Sequence, residues 1–335
     1  MLAILDAIAP VFLVILAGVL VERAGMLARE TGRIVSVLVV NVTLPCLLFN
    51  LMTQVTVEQL SKGWWWFATA FLPLVILWSW AGVELLRKVP FGPAVIFGFS
   101  TVFFNAAFVG LPVVMNLFPG NQQAMTVAGL CVVASNSAGL TGQICLDAWN
   151  RHRRAGTGSA EQAPPQGGYA SACWRLFRQY VLGNTVLVAT IIGLTLAILE
   201  IPLWKPAAKA VHMLGMLSPT AMLFVFGFNL CTFLQKAASG RRGLFLHAFL
   251  VSLATLLGFP AATWACLAYF GYSQEWLAVT VVMCATGTGI VTSVFAEVYG
   301  AEPEETALTV AVTNVMSFFS LLFFVWLLNG AGHMA

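Results

Sequence analysis

Apolar residues along this chain fall in long, nearly unbroken runs, with neither the stripe of a surface helix nor the alternation of a half-buried strand. Ten such runs stand out, at about residues 3–22, 31–52, 64–86, 91–117, 122–148, 178–199, 207–234, 244–270, 276–299 and 305–328. Each is long enough to cross the hydrocarbon of a bilayer as a helix, which takes about 20 residues. One long polar stretch, Asn150 to Arg175, separates the fifth run from the sixth; it holds Arg151-His152-Arg153-Arg154 and then a tract rich in Gly, Ser, Pro and Gln. That composition cannot build a packed core and reads as a flexible linker. The pattern predicts an all-α membrane protein of ten transmembrane helices. It divides into a five-helix unit at 1–149, a linker at 150–176 and a second five-helix unit at 177–335.

Two runs are interrupted. The fourth carries Phe104-Asn105-Ala106-Ala107-Phe108-Val109-Gly110-Leu111-Pro112, and the ninth carries Cys284-Ala285-Thr286-Gly287-Thr288-Gly289. Proline removes a backbone donor and clashes with the preceding turn. Within a bilayer, freed backbone groups persist only where protein or a water-filled cavity meets them. Paired interruptions in two halves of a chain point to the binding site of a transporter. The expectation is two pairs of half-helices, each broken near mid-depth. Their second halves would begin near Pro112 and near Gly289, with Thr286 or Thr288 as an N-cap.

Composition excludes a soluble domain: the chain is 60% hydrophobic with a mean hydropathy of +0.90, and only 9% of its residues are charged, against about 25% in soluble proteins. The net charge of +3 matters less than its placement. Thirteen of the 16 Lys and Arg fall in loops on one side, leaving Lys62, Lys205 and Lys209 on the other. The rich side is expected to be cytoplasmic, which puts the linker inside and both termini outside. With five spans per half, the second half is inverted relative to the first. Internal echoes agree: Pro45 answers Pro219, and Asn136 and Asn314 follow Pro112 and Gly289 by 24 and 25 residues. Asp6 and the lack of a basic leader give no expectation of a cleaved signal peptide.

Chemistry narrows accordingly. The seven cysteines show no metal-type spacing, no enzyme motif is present, and neither a cofactor nor nucleic-acid binding is expected. No Lys or Arg falls at the centre of a run, and the acidic Asp6, Glu84, Asp147 and Glu297 lie towards run ends. Two helix N-termini meeting in mid-membrane would attract an anion without any basic side chain. The opposed C-termini could instead hold a cation through carbonyls. Candidate substrate-binding residues are Asn105, Gly110, Leu111, Pro112, Asn136, Thr286, Gly287, Thr288, Gly289 and Asn314. Asn41, Pro45 and Pro219 are supporting positions. Each Asn also fits a plain helix–helix hydrogen bond, and the two glycines fit close packing. Thr141 and Gln143 are weaker candidates, His212 and His247 read as interfacial, and Gly63-Trp64-Trp65-Trp66 reads as an interfacial anchor.

Four segments carry a family resemblance: Asn41-Val42-Thr43-Leu44-Pro45-Cys46-Leu47-Leu48-Phe49, Asn105 through Pro112, Gly183-Asn184-Thr185 through Ile201-Pro202-Leu203, and Leu217-Ser218-Pro219-Thr220-Ala221-Met222-Leu223-Phe224. The chain resembles the auxin efflux carrier family, which includes bacterial carriers of malonate and other small carboxylates and is similar in fold to bile acid:sodium symporters. The resemblance implies inverted five-helix repeats, a two-domain arrangement, and fourth and ninth spans broken where they cross, at Gly110–Pro112 and Thr286–Gly289 by position. It departs from many relatives in having glycines, not proline, at the second crossing. It also lacks the long cytoplasmic domain of many plant members, which favours a compact carrier of a bacterial inner membrane. The expected function is secondary transport of small organic anions, mono- or dicarboxylates, with sodium or a proton as a possible coupling ion. The resemblance also suggests a homodimer. Alternatives are a sodium-coupled symporter of bile acid type and a membrane sensor of the same fold without flux.

Overall fold

The structure, a computed structural model, describes residues 2–28, 30–66, 68–69, 72–156, 178, 182–238 and 242–332. Among the described residues it is all-helical, with a single isolated β-bridge. Besides two short helices at Val57–Leu60 and Gly63–Trp66, the helices are α1 (Leu2–Arg23), α2 (Thr31–Met52), α3 (Leu72–Leu86), α4 (Phe91–Val102), α5 (Ala106–Leu117), α6 (Gln122–Gly156), α7 (Thr185–Ile198), α8 (Lys205–Ala238), α9 (Leu246–Tyr269), α10 (Gln274–Cys284), α11 (Val291–Tyr299) and α12 (Pro303–Gly330). Six described helices are long and apolar enough to cross a membrane, and several shorter apolar ones stand beside them. Exposed Leu13, Leu20, Ile34, Phe319 and Trp326 show apolar side chains facing outward, as a lipid-facing surface requires. This is a multi-pass membrane protein.

Packing sorts the helices into two groups. α1 lies along α8, and α2 packs on both α7 and α8. The other group runs α3 on α4, α4 on α6, α10 on α6 and α9, and α9 and α11 on α12. The groups meet where α1 touches α5 and α8 touches α12. α1 and α8 approach backbone to backbone because a Cβ at Gly18 would lie 2.1 Å from Phe224 O, and one at Gly227 only 1.9 Å from Ile15 O. Small residues are what let membrane helices come this close.

Three prolines shape their helices without breaking them. Pro45, Pro112 and Pro260 each follow a π-turn, at Val39–Thr43, Ala106–Gly110 and Ala254–Gly258. The proline ring crowds the carbonyl four residues back and offers no N–H to it. The chain widens instead, and Leu44, Leu111 and Phe259 donate to the carbonyls of Val39, Ala106 and Ala254, five residues back. Pro219 differs from Pro45 in sitting inside a continuous α-helix.

Two expectations change here. Residues 150–156 continue α6, and the rest of the linker, 157–176, lies outside the described residues. The Trp run is no simple anchor. Trp65 is fully buried, its indole N–H donates to Thr280 Oγ1 at 3.2 Å, and its ring meets Trp276 edge-on at 5.6 Å. Tertiary packing overrode the interfacial preference because Thr280 supplies the indole with a partner inside the protein. Trp65→Ala is therefore expected to cost about 3–5 kcal/mol and to lower the melting temperature. Trp66→Ala, at a half-buried position, is expected to lower it less; thermal unfolding of the two purified variants checks the order.

Candidate functional site

The site is built where the fourth and ninth apolar runs come apart and cross. α4 ends at Phe103, whose φ/ψ of −86°/79° is not helical, and Asn105 at −79°/55° precedes α5. Phe104 and Thr288 pair as a two-residue antiparallel bridge. Asn105 N donates to Gly287 O at 2.7 Å, and Gly289 N donates to Phe103 O at 2.6 Å. Two of the backbone groups freed by each break are thus satisfied by the other, as a membrane interior favours.

The crossing in the fourth run is therefore at Phe103–Asn105, not at Gly110–Pro112. Pro112 sits in the second half-helix, where it produces the π-turn described above. Gly110 and Leu111 are taken up by packing: a Cβ at Gly110 would lie 2.7 Å from Met283 Sδ, and Leu111 is fully buried. In the ninth run the break is at Ala285–Ile290, as expected, but neither threonine is an N-cap. Ile290 holds that position without a side-chain bond. Thr286 Oγ1 donates to Met283 O at 2.9 Å and Thr288 Oγ1 to Ser100 O at 2.8 Å.

Close approach explains the glycines. A Cβ at Gly287 would lie 2.6 Å from Asn314 Cα, and one at Gly289 would lie 2.7 Å from the Phe103 ring. Neither glycine has a positive φ. They are there for room, since a Cβ at either position would overlap its neighbour.

Asn314 ties the knot. Its Nδ2 donates to Thr288 O at 2.7 Å and to Val310 O at 2.8 Å, while its Oδ1 accepts from Asn105 Nδ2 at 3.0 Å. Thr313 Oγ1 accepts from Thr288 N at 3.1 Å. Asn314 has both donors used and is 1% exposed, so it holds the crossing and has no N–H left to offer a solute.

A cleft of about 160 Å³ lies against the crossing, between the two helix groups. One wall is Val40 and Leu44 of α2 with Asn184 and Val186 at the start of α7; the other is the Phe103–Phe108 segment, α6 and Gly289–Val291. Asn105 and Gly289 reach it, and Asn136 lines it from α6 together with Ser135 and Gln143. Among the described residues no hydrogen-bond partner is recorded for the Asn136 or Gln143 carboxamide. Thr286, Gly287, Thr288 and Asn314 stand behind the cleft rather than in it.

Two helix starts face the same space. Ala107 and Phe108 open α5, and Ile290 and Val291 open α11; all four line the cleft. First-turn amides have no intrahelical acceptor and carry about half a positive charge per helix. Among the described residues, no Lys or Arg lines the cleft. At the breaks, the carbonyls of Phe103 and Gly287 each accept an amide across the crossing.

The supporting residues are peripheral. Asn41 is exposed and donates to Val37 O of its own helix at 2.9 Å; Pro45 and Pro219 are buried in α2 and α8. Asn184 was legible only as a motif residue: its Oδ1 accepts from Val186 N and Leu187 N, capping α7 at the cleft edge. Phe103 and Phe99, stacked at 4.6 Å, carry no polar signal by which sequence reasoning could have found them.

A family model described as membrane transport protein matches residues 3–147 and 177–325 of this chain. No curated protein matches it.

Proposed function

This chain belongs to the membrane transport protein family, of auxin efflux carrier type, and on that premise we propose that it carries small organic anions, mono- or dicarboxylates, by alternating access. The observation that carries the reading is the cleft, where two helix starts and the carboxamides of Asn105 and Asn136 converge with no basic side chain among the described residues. Helix N-termini and amide N–H groups recognise a carboxylate without the desolvation that a buried Lys or Arg would cost.

The chain forms ten spans in two inverted five-helix repeats. α1, α2, α7 and α8 are the scaffold, and α3–α6 with α9–α12 are the moving bundle. The cleft between them runs from the crossing towards Gln143 and Asn184, on the side of the linker. On the far side the two groups are fastened: Asn116 Nδ2 donates to Ala7 O at 3.1 Å, and the side chains of Gln122 and Gln54 bond each other. This conformation is open to the cytoplasm and latched outside, with both termini outside, in a bacterial inner membrane. Rocking the bundle against the scaffold would break the latch and close the cleft.

The test is a thermal-shift screen of purified protein against malonate, succinate and acetate, with and without sodium, at two pH values. A ligand present at 100 times its Kd stabilises by about 2.7 kcal/mol. At least one carboxylate is expected to raise the melting temperature of the native protein, and Asn136→Leu is expected to lose most of that shift. A shift that appears only with sodium would favour the bile acid type of symport. A response to neutral or cationic solutes alone would sink the anion reading.

A further inference from the structure

The bundle contains a second polar centre, away from the cleft. His247, near the start of α9, is turned into the bundle. Its Nδ1 lies 2.6 Å from Glu305 Oε1 on α12, and its Nε2 lies 2.9 Å from Glu84 Oε1 on α3. Both carboxylates are nearly buried, the Glu84 side chain at 2% exposure. Phe97 of α4 presses edge-on to the imidazole at 4.6 Å. Arg87 Nη1 lies 3.2 Å from Glu84 Oε1. α12 also brings Glu302 and Glu304, both exposed, to its first turn; α4 and the Ala254–Gly258 turn bring no titratable group.

This geometry counts protons. A carboxylate accepts only, and a neutral imidazole has one N–H and one lone pair. Two short N···O contacts on one ring therefore need two protons, held as an imidazolium between two carboxylates. With Arg87 the cluster is then neutral. Release of one proton to water leaves a neutral imidazole whose lone pair faces a carboxylate oxygen, together with one uncompensated buried negative charge, and both are costly.

From this arrangement we propose that Glu84, His247 and Glu305 form a proton-binding site that couples movement of the bundle to proton transfer across the membrane. The loaded site clasps α3, α9 and α12; the unloaded site must part. α12 links it to the crossing. Thr309 Oγ1 donates to Glu305 O at 2.9 Å, Thr313 Oγ1 donates to Thr309 O at 2.7 Å, and Thr313 Oγ1 accepts from Thr288 N. Glu305 and Thr313 are about 12 Å apart along the helix at 1.5 Å per residue. A shift of α12 at the clasp is thus delivered to the crossing. The coupling half of this inference rests on the anion-transport reading; the proton site itself does not.

Two measurements separate these. In the first, the full chain in proteoliposomes is given a malonate gradient, with a trapped pH dye reporting protons and labelled malonate reporting exchange. Malonate entry is expected to carry protons in the native protein. In His247→Gln, malonate-for-malonate exchange is expected to stay within about threefold while malonate-driven proton movement falls at least tenfold. Unchanged proton movement in that variant, or malonate transport without protons in the native protein, overturns the coupling. If the native protein carries no malonate, the anion reading suffers, and the second measurement decides the site. In the native chain labelled with ¹⁵N-histidine, one ring is expected to show N–H signals from both nitrogens at neutral pH. Glu84→Gln should move one signal and Glu305→Gln the other. A single N–H signal that neither substitution moves overturns the proton site.

Discussion

Asn105→Asp is expected to abolish carboxylate binding, by at least a hundredfold, while Pro112→Ala leaves it within a few-fold of the native protein. Aspartate has the shape of asparagine but no N–H. It would present an acceptor to Asn314 Oδ1, now 3.0 Å from a donor, and a negative charge to any anion in the cleft. Asn105 is 2% exposed, so water screens that charge poorly, and a hundredfold loss corresponds to about 2.7 kcal/mol. Pro112 lies in α5 beyond the π-turn and does not line the cleft. Isothermal titration with whichever carboxylate the thermal screen selects measures both variants. Native affinity in Asn105→Asp, or loss of binding in Pro112→Ala with the fold intact, would move the site away from the crossing.

Gly287→Ala is expected to damage the protein more than any other methyl added at the crossing. The new Cβ would meet Asn314 Cα at 2.6 Å and Asn314 N at 2.7 Å, which are backbone atoms of a helix packed on three sides. Overpacking of this kind costs about 1–3 kcal/mol, and here it also pulls on the Asn105 N to Gly287 O bond. Gly289→Ala should be milder, because its nearest obstacle is the Phe103 ring at 2.7 Å, with backbone only at 3.2 Å. Melting temperatures in detergent are expected to fall in the order native, Gly289→Ala, Gly287→Ala. Equal stability of all three would show that the crossing is looser than its hydrogen bonds imply.

How much of this was legible beforehand varies with the kind of interaction. Asn105, Asn314 and the Thr286–Gly289 stretch stood out because amides and paired glycines are costly in hydrocarbon, and the structure brings them together at one crossing. Their roles were not legible. Asn136 lines the cleft without a hydrogen-bond partner among the described residues, while Asn314 spends its donors on Thr288 and Val310. Both are one asparagine in an apolar run as far as sequence can tell. The break in the fourth run was assigned to the strongest local breaker, Pro112. It fell at Phe103–Asn105 because an exchange of two backbone hydrogen bonds with Gly287 and Gly289 stabilises an opening there, and a π-turn was enough to absorb the proline.

Sequence alone was enough for the environment: long apolar runs without strand-like alternation, with charges at their ends, belong across a bilayer as helices, because a helix satisfies its backbone within the segment. Where two distant interruptions meet, and that Trp65 turns inward to Thr280 while His247 lies between Glu84 and Glu305, only the tertiary structure decided. Those outcomes depend on partners some 60 to more than 200 residues away along the chain, and no local preference for helix, turn or interface contains that information.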